Sequence, residues 1–238
     1  MKIALIGYGK MGRAIEKIAL ERGHSIVLKI DIDTAHLFTR EELSKADVAI
    51  EFTSPHSAFN NVMKLLEFNT PVVCGSTGWL DKYEAIEEFC LQRHGAFLYA
   101  SNFSVGVNIF FELNKKLAAL MANHSDYAIS LEEIHHTQKK DAPSGTAVTL
   151  AEQIMHANHM KKKWVNHASD HPEELPIISK RIDPAPGTHS VRYSSTIDDI
   201  EIIHTAHNRT GFATGAVMAA EFLAGKKGIY SMKDVLAL

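Results

Sequence analysis

The sequence predicts an α/β chain in two parts, a doubly wound parallel sheet followed by an α+β unit. Three observations carry this. Short apolar runs alternate with helical stripes through the first hundred residues. The turn joining the first run to the first stripe reads Gly7-Tyr8-Gly9-Lys10-Met11-Gly12. Beyond residue 105, strand-like runs follow one another with little helix between them.

Residues 2–6, Lys-Ile-Ala-Leu-Ile, form a buried strand, and 11–22 place apolar side chains at 11, 14, 15, 18 and 19, one face of a helix. Residues 25–31 and 48–52 are again strand-like. Ser54 stands as an N-cap with Pro55 at the first helical position. Strands at 71–74 and 96–99 flank a helix near 81–93. In the second part a helix over 105–123 leads to an alternating strand at 127–136, with Ile129, Leu131 and Ile134 as its apolar members. Helical spacing resumes at Ala147, Val148, Leu150, Ala151 and Ile154. Residues 175–182, 189–196 and 200–206 read as antiparallel strands. The last helix, 214–223, is apolar and alanine-rich. A dinucleotide-type fold ending at 104 lacks its closing helix, so this one is expected to return to the first part. The domains are then 1–104 with 212–238, and 105–211, hinged near Ser104 and Gly211.

At 238 residues and 45% hydrophobic content the chain has ample material for a core. No apolar run reaches the roughly 18 to 20 residues of a membrane span. The N-terminal strand runs into a glycine turn rather than a cleavage site, so a soluble, cytoplasmic protein is expected. A net charge of −3 without a basic stripe argues against nucleic acid. Lys161-Lys162-Lys163 reads as a solvated loop. Two cysteines are too few for a disulfide scaffold, and Cys74 sits in an apolar strand as a buried thiol. Of the 14 histidines, His156, His159, His167 and His171 fall in a polar stretch and read as surface groups. Closely spaced zinc ligand sets such as His-Glu-x-x-His are not present, so no metal is expected.

The glycine turn lies between a strand and a helix, the context in which Gly-x-Gly-x-x-Gly binds a dinucleotide. Gly7 makes the turn, Gly9 lets the backbone approach a pyrophosphate, and Gly12 lets the helix pack on the sheet. Asp31, at the end of the second strand, is placed to accept from an adenosine ribose hydroxyl. No arginine follows it, which favours NADH over NADPH, although Lys29, Arg40 and Arg13 are within possible reach. The bland alternative is packing glycines and a strand-end acid. Gly75-Ser76-Thr77-Gly78 and Ala100-Ser101-Asn102-Phe103 follow the fourth and fifth strands, at carboxyl ends where open α/β sheets bind ligands; ordinary turn chemistry explains the first equally well.

Residues 132–146, Glu-Glu-Ile-His-His-Thr-Gln-Lys-Lys-Asp-Ala-Pro-Ser-Gly-Thr, concentrate two histidines, a lysine pair and a turn into a helix start. Imidazoles delivered beside unpaired helix N–H groups can hold a small anion and move protons around it. His135 and His136 leave a strand on opposite faces and so have different tasks. Taken singly, a histidine on a half-buried strand is more often structural.

His135-His136, Lys139-x-Asp141-Ala142-Pro143-Ser144-Gly145-Thr146, the N-terminal glycine turn, Phe52-Thr53, Gly75 to Gly78, Ser101 to Asn108 and Gly215-Ala216-Val217 together resemble the dihydrodipicolinate reductase family of the bacterial diaminopimelate and lysine pathway, in its order and over nearly the whole chain. The resemblance implies an NADH- or NADPH-dependent reductase of a cyclic imine dicarboxylate, typically a homotetramer. It implies that His135 and Lys139 are catalytic and that His136, Ser144, Gly145 and Thr146 bind substrate. The backbones of Gly75 to Thr77 and Ala100 to Phe103 would line the nicotinamide end. Thr137 and Gln138 stand where many relatives place basic residues, and Asp183 where a glycine is usual; residues 181–193 receive no role. Two other classes remain open at this point, an amino-acid dehydrogenase such as one acting on aspartate, and a catalytically silent NAD-binding sensor. Only residues 132–146 separate them from the reductase.

Overall fold

Strict alternation in the first strand sorts its side chains into two cores. In the computed structural model, which describes residues 1–208 and 210–238, β1 (Lys2–Ile6) sends Ile3 and Leu5 to one face and Ala4 and Ile6 to the other, all buried. The chain continues through α1 (Lys10–Glu21), β2 (Ser25–Ile30), a 3-10 turn at Ile32–Leu37, α2 (Arg40–Leu43), β3 (Val48–Glu51), α3 (Pro55–Glu67), β4 (Val72–Cys74), a 3-10 turn at Leu80–Lys82, α4 (Tyr83–Gln92) and β5 (Ala96–Tyr99). After it come α5 (Val105–Met121), β6 (Ala128–His135), α6 (Gly145–Ala157), β7 (Lys163–Val165), β8 (Glu174–Arg181), β9 (Gly187–Ser194), β10 (Asp199–Ala206), α7 (Thr210–Leu223), β11 (Gly228–Tyr230) and α8 (Met232–Leu236). Two compact units result, Met1–Val105 with Thr210–Leu238, and Gly106–Arg209.

The first unit is a six-stranded parallel sheet in the order β11-β5-β4-β3-β1-β2. This is the Rossmann-type α/β fold. Ile15 and Ala19 of α1 and the Ala216, Val217 and Ala220 face of α7 cover one side; Val62 and Leu65 of α3 and Ile86 of α4 cover the other. Strand order reverses between β1 and β3, and at such a switch point the loops leaving the strand ends part to form a crevice. Ser54 precedes α3, but its hydroxyl bonds Ser57 Oγ at 2.8 Å and makes no cap bond. Pro55 at the first helical position has no N–H, which leaves one unpaired donor fewer at this helix end.

The second unit is a five-stranded sheet, β10-β9-β6-β8-β7, with α5 and α6 on one face. Ile129 and Leu131 of β6, Leu175 and Ile177 of β8 and Val191 and Tyr193 of β9 meet Phe110, Leu150 and Ile154 of the helices. Asn114, buried between the helices, donates to the Leu150 carbonyl at 3.1 Å and Gln153 Oε1 at 2.9 Å. Of the three strands expected to be antiparallel, β9 and β10 pair so and β8 runs opposite to β9, but β8 and β9 are not neighbours. β6 lies between β8 and β9, parallel to β8 and antiparallel to β9, because α6 and the loop after it carry the chain back across the sheet before β8 begins. Of the lysine run expected to be a solvated loop, Lys161 and Lys162 lie in a loop and Lys162 and Lys163 are exposed, but Lys163 opens β7 and pairs with Glu174 at 3.0 Å, and Lys161 Nζ donates to the Glu174 carbonyl. Among the described residues no helix is long and apolar enough to cross a membrane.

Candidate active site

The crevice at the β1/β3 switch point is lined by the residues the glycine pattern singled out. A cavity of about 420 Å³ runs past Gly7, Tyr8, Gly9, Asp31, Ile32 and Thr53. A second, of about 460 Å³, adjoins it along Gly9, Phe52 and Thr53 and continues past Lys10, Met11, Gly75, Ser76 and Thr77. Three of the glycines are steric requirements. A Cβ on Gly7 would lie 2.0 Å from the Phe52 carbonyl oxygen, one on Gly12 2.3 Å from the Gly7 carbonyl oxygen, and one on Gly75 2.1 Å from the Phe52 ring. Nothing lies within 4 Å of the Cβ position of Gly9, which opens α1. Open space over a helix N-terminus suits a pyrophosphate, and the chain's residues therefore fit a dinucleotide coenzyme. Asp31 caps the following 3-10 turn, its Oδ1 accepting from Ile32 N at 2.9 Å, and it stays exposed at the cavity edge.

The loops that follow β3 and β4 are joined where those strands end. Ser76 is buried; its Oγ accepts from Thr53 N at 2.8 Å and its carbonyl accepts from Trp79 Nε1 at 2.7 Å. Behind them Glu51, fully buried, accepts from the Thr53 hydroxyl and from the Cys74 thiol, whose own ionisation burial pushes far up. Ala100, Ser101, Asn102 and Phe103 follow β5 but line neither cavity. Asn102 Oδ1 accepts from Ser104 N at 2.9 Å. Phe103 packs its ring 5.6 Å from that of Phe52, and its carbonyl would lie 1.7 Å from a Cβ on Gly215.

In the second unit the alternation of β6 puts Ile129, Leu131, Glu133 and His135 on one buried face. Glu133 is wholly inaccessible and its Oε2 holds His135 Nδ1. Its other oxygen accepts from Arg181 Nη1 at 2.9 Å. Burial pushes the Glu133 carboxyl up, but hydrogen bonds from His135, Ser179 and Arg181 outweigh this and hold it at about 2. The carboxylate fixes the imidazole by one nitrogen and leaves Nε2 as the open one. Gly187, the first residue of β9, keeps that side clear, since a Cβ there would lie 3.0 Å from Nε2. His189 stacks edge-on against His135 with centroids 5.1 Å apart, and its Nε2 lies 3.0 Å from Ser144 Oγ. Burial, with the charges of His135 and Lys139 adding to it, depresses His189 to about 3, so this ring is neutral.

Ser144 is buried and caps α6, its Oγ accepting from Ala147 N at 3.2 Å. Gly145 is exposed with nothing within 4 Å of its Cβ position, and Thr146 follows it in the first turn. Lys139 Nζ is held by both oxygens of Asp141, at 2.9 and 2.7 Å, and Arg181 Nη2 donates to the Asp141 carbonyl at 2.7 Å. His136 lies beyond the strand end and lines a separate cavity of about 330 Å³ with Gln138, Asp183, Pro184, Pro186 and Asn208. Asp183 clasps that loop, accepting from Thr137 N at 3.1 Å and Thr137 Oγ1 at 2.6 Å. The structure thus joins His135 to Ser144 through His189, and Lys139 to the same cluster through Asp141 and Arg181.

Glu133, Arg181 and His189 were missed by the sequence reading. One signal was present: Ile129 and Leu131 share a parity with Glu133 and His135, whereas Ile134, counted among the apolar members, has the other and faces away. Arg181 and His189 carried no such signal, because their places come from register, His135 opposite Arg181 and Glu133 opposite His189. Glu133, His135 and His189 also bring candidate metal-ligand atoms within 4.8 Å of one another, a grouping their spacing did not announce. Arg181 engages Glu133 and Ser144 engages His189 Nε2, while His189 Nδ1 is buried without a hydrogen-bond partner among the described residues.

Comparison with known proteins matches residues 1–103 to the dihydrodipicolinate reductase N-terminus and residues 106–236 to the dihydrodipicolinate reductase C-terminus. The chain is 52% identical over 237 residues to the 4-hydroxy-tetrahydrodipicolinate reductase of Christiangramia forsetii, covering 100% of this chain and 98% of that one. It is 32% identical over 253 residues to the protein of the same name from Methanoregula boonei, covering 100% and 98%. Among solved structures, the dipicolinate-bound dihydrodipicolinate reductase of Paenisporosarcina sp. TG-14 shares the fold, with a TM-score of 0.75 over 97% of each chain at 23% identity.

Proposed function

The chain belongs to the dihydrodipicolinate reductase family, and from that premise we propose that it reduces 4-hydroxy-tetrahydrodipicolinate to tetrahydrodipicolinate with NADH or NADPH, in diaminopimelate and lysine biosynthesis. The observation that carries this reading is the cluster around the end of β6, an imidazole fixed by a buried carboxylate with an ammonium and an open helix start tied to the same network.

The substrate loses water from ring carbon 4, and the conjugated ring then gains one hydride and one proton. A bound NADH or NADPH supplies the hydride. Electron density moves toward the ring nitrogen as the hydride adds, so a cation there lowers the barrier. Lys139, steadied by Asp141, supplies that charge. His135 offers Nε2 for the proton while Glu133 holds Nδ1 and stabilises the charged ring. Gly145 and Thr146 present N–H groups of the α6 start to one substrate carboxylate, with Ser144 shaping the turn and His136 contacting the substrate from its own cavity. Open space at Gly145 supports this assignment.

NADH is the favoured coenzyme. Asp31 stands at the cavity edge, and Arg40, a cation the sequence left available, is engaged elsewhere: its Nη2 donates to the Glu67 carbonyl at 3.2 Å and its guanidinium lies over the Phe68 ring. The reading extends to a cytoplasmic homotetramer. β10 is an edge strand with Ile203 59% exposed, a surface suited to pairing with further copies.

The test couples the protein to the preceding aldolase, with pyruvate and aspartate semialdehyde, and follows NADH absorbance. Aldolase-dependent oxidation is expected, with NADH used at least as well as NADPH. Oxidation that instead requires oxaloacetate and ammonia assigns an amino-acid dehydrogenase; coenzyme binding without turnover in either assay assigns a sensor.

A further inference from the structure

We propose that Glu16 sets coenzyme preference, by holding the Lys29 ammonium away from the ribose edge of the coenzyme cavity. Lys29 and Asp31 are two residues apart along the same chain segment and project to the same side. Asp31 and Tyr8 both line the cavity. Lys29 Nζ lies 2.6 Å from Glu16 Oε1, 3.3 Å from the Tyr8 hydroxyl oxygen and 4.8 Å from the centre of the Tyr8 ring. The Tyr8 hydroxyl in turn donates to the other oxygen of Glu16. Three side chains from the glycine turn, α1 and β2 are thereby closed into one triangle, and the cation nearest Asp31 along the strand is spent inside it.

A ribose 2′-hydroxyl donates to Asp31 whatever Lys29 does. A 2′-phosphate at the same edge meets the Asp31 carboxylate without the Lys29 ammonium to offset it. Removing the charge of Glu16 frees Lys29 to swing to the phosphate, while the Tyr8 ring and the glycine turn stay as they are. Glu16 and Lys29 are surface groups, with side chains 19% and 43% exposed, and such a pair contributes little to folding, so the change is tolerated. Arg13 lies 5.6 Å from the centre of the same Tyr8 ring and is the other cation the experiment must separate.

The inference rests on the reading of this cavity as the coenzyme site, and its test measures binding of NADH and NADPH to the full chain by fluorescence titration, without substrate. Glu16→Gln is expected to bind NADPH about tenfold tighter, about 1.4 kcal/mol, with NADH changed by less than about twofold. Lys29→Met alone is expected to leave NADPH binding within about twofold, because the ammonium is already committed. Glu16→Gln with Lys29→Met should lose the gain. An unchanged NADPH-to-NADH ratio in Glu16→Gln, a large loss of NADPH affinity in Lys29→Met, or a gain retained in the double variant, which would assign it to Arg13, each overturns the inference while leaving the coenzyme reading intact. A wild-type protein that binds neither coenzyme overturns both.

Discussion

Lys139 and Lys140 are adjacent, and the structure separates their surroundings. Lys139 is gripped by Asp141, which its charge and hydrogen bonds hold below the usual carboxylate range, while Lys140 is exposed. If Lys139 serves charge that exists only in the transition state, Lys139→Ala lowers kcat by on the order of 10² to 10³, about 3 to 4 kcal/mol, with a smaller change in KM. His135→Ala does likewise, and the double variant loses less than the sum, since both act on one developing charge. Lys140→Ala is nearly neutral. Steady-state rates, with NADH binding measured alongside, decide it; wild-type kcat in Lys139→Ala ends the assignment. Glu133 could be recognised from sequence only by extending the parity of Ile129 and Leu131 through a charged residue. A carboxylate is the last side chain a hydrophobic pattern places inside, and it is tolerated here because His135 and Arg181 neutralise it.

At the scale of elements, α6 begins with a buried cap and an open glycine side by side. Ser144 satisfies the Ala147 N–H and is locked to His189, so the turn holds its shape without help from Gly145. Gly145 has ordinary helical backbone and no neighbour to avoid, which means that a side chain there blocks a ligand rather than the fold. Gly145→Val is therefore expected to abolish competitive inhibition by pyridine-2,6-dicarboxylate, with NADH affinity and thermal stability close to wild type. Loss of all three together would make the glycine structural. The helices and strands themselves were legible because their periods differ, 3.6 against 2, and each was set by residues close in sequence. Pairing partners were not, since β8 and β9 reach β6 from 46 to 66 residues away along the chain.

For the whole molecule, two groups in the β6 cluster tie stability to pH in the same direction. His189 is neutral when folded, with its value lowered from 6.5 to about 3, so the unfolded chain takes up a proton that the folded one refuses as pH falls below 6.5. Glu133, lowered from 4.5 to about 2, adds the same sense between those values. Full stability is present above pH 6.5, and His189 alone removes up to about 1.4 kcal/mol per pH unit below it. Denaturant midpoints are expected to fall between about pH 7 and pH 4, and His189→Gln should flatten the upper part of that fall. A wild-type midpoint constant over this range would contradict the account.

The sequence by itself determined the Rossmann-type sheet, the sites of its glycine turns and the histidine-lysine segment before α6, because each is written in contiguous residues whose spacing is itself the physical constraint. Only the tertiary structure decided that Glu133, Arg181 and His189 surround His135, that Asp183 clasps Thr137, and that Lys29 is tied to Glu16. Each of those contacts joins separate elements through strand register or sheet packing. Register depends on how whole buried faces match, a property that no local window of the chain contains.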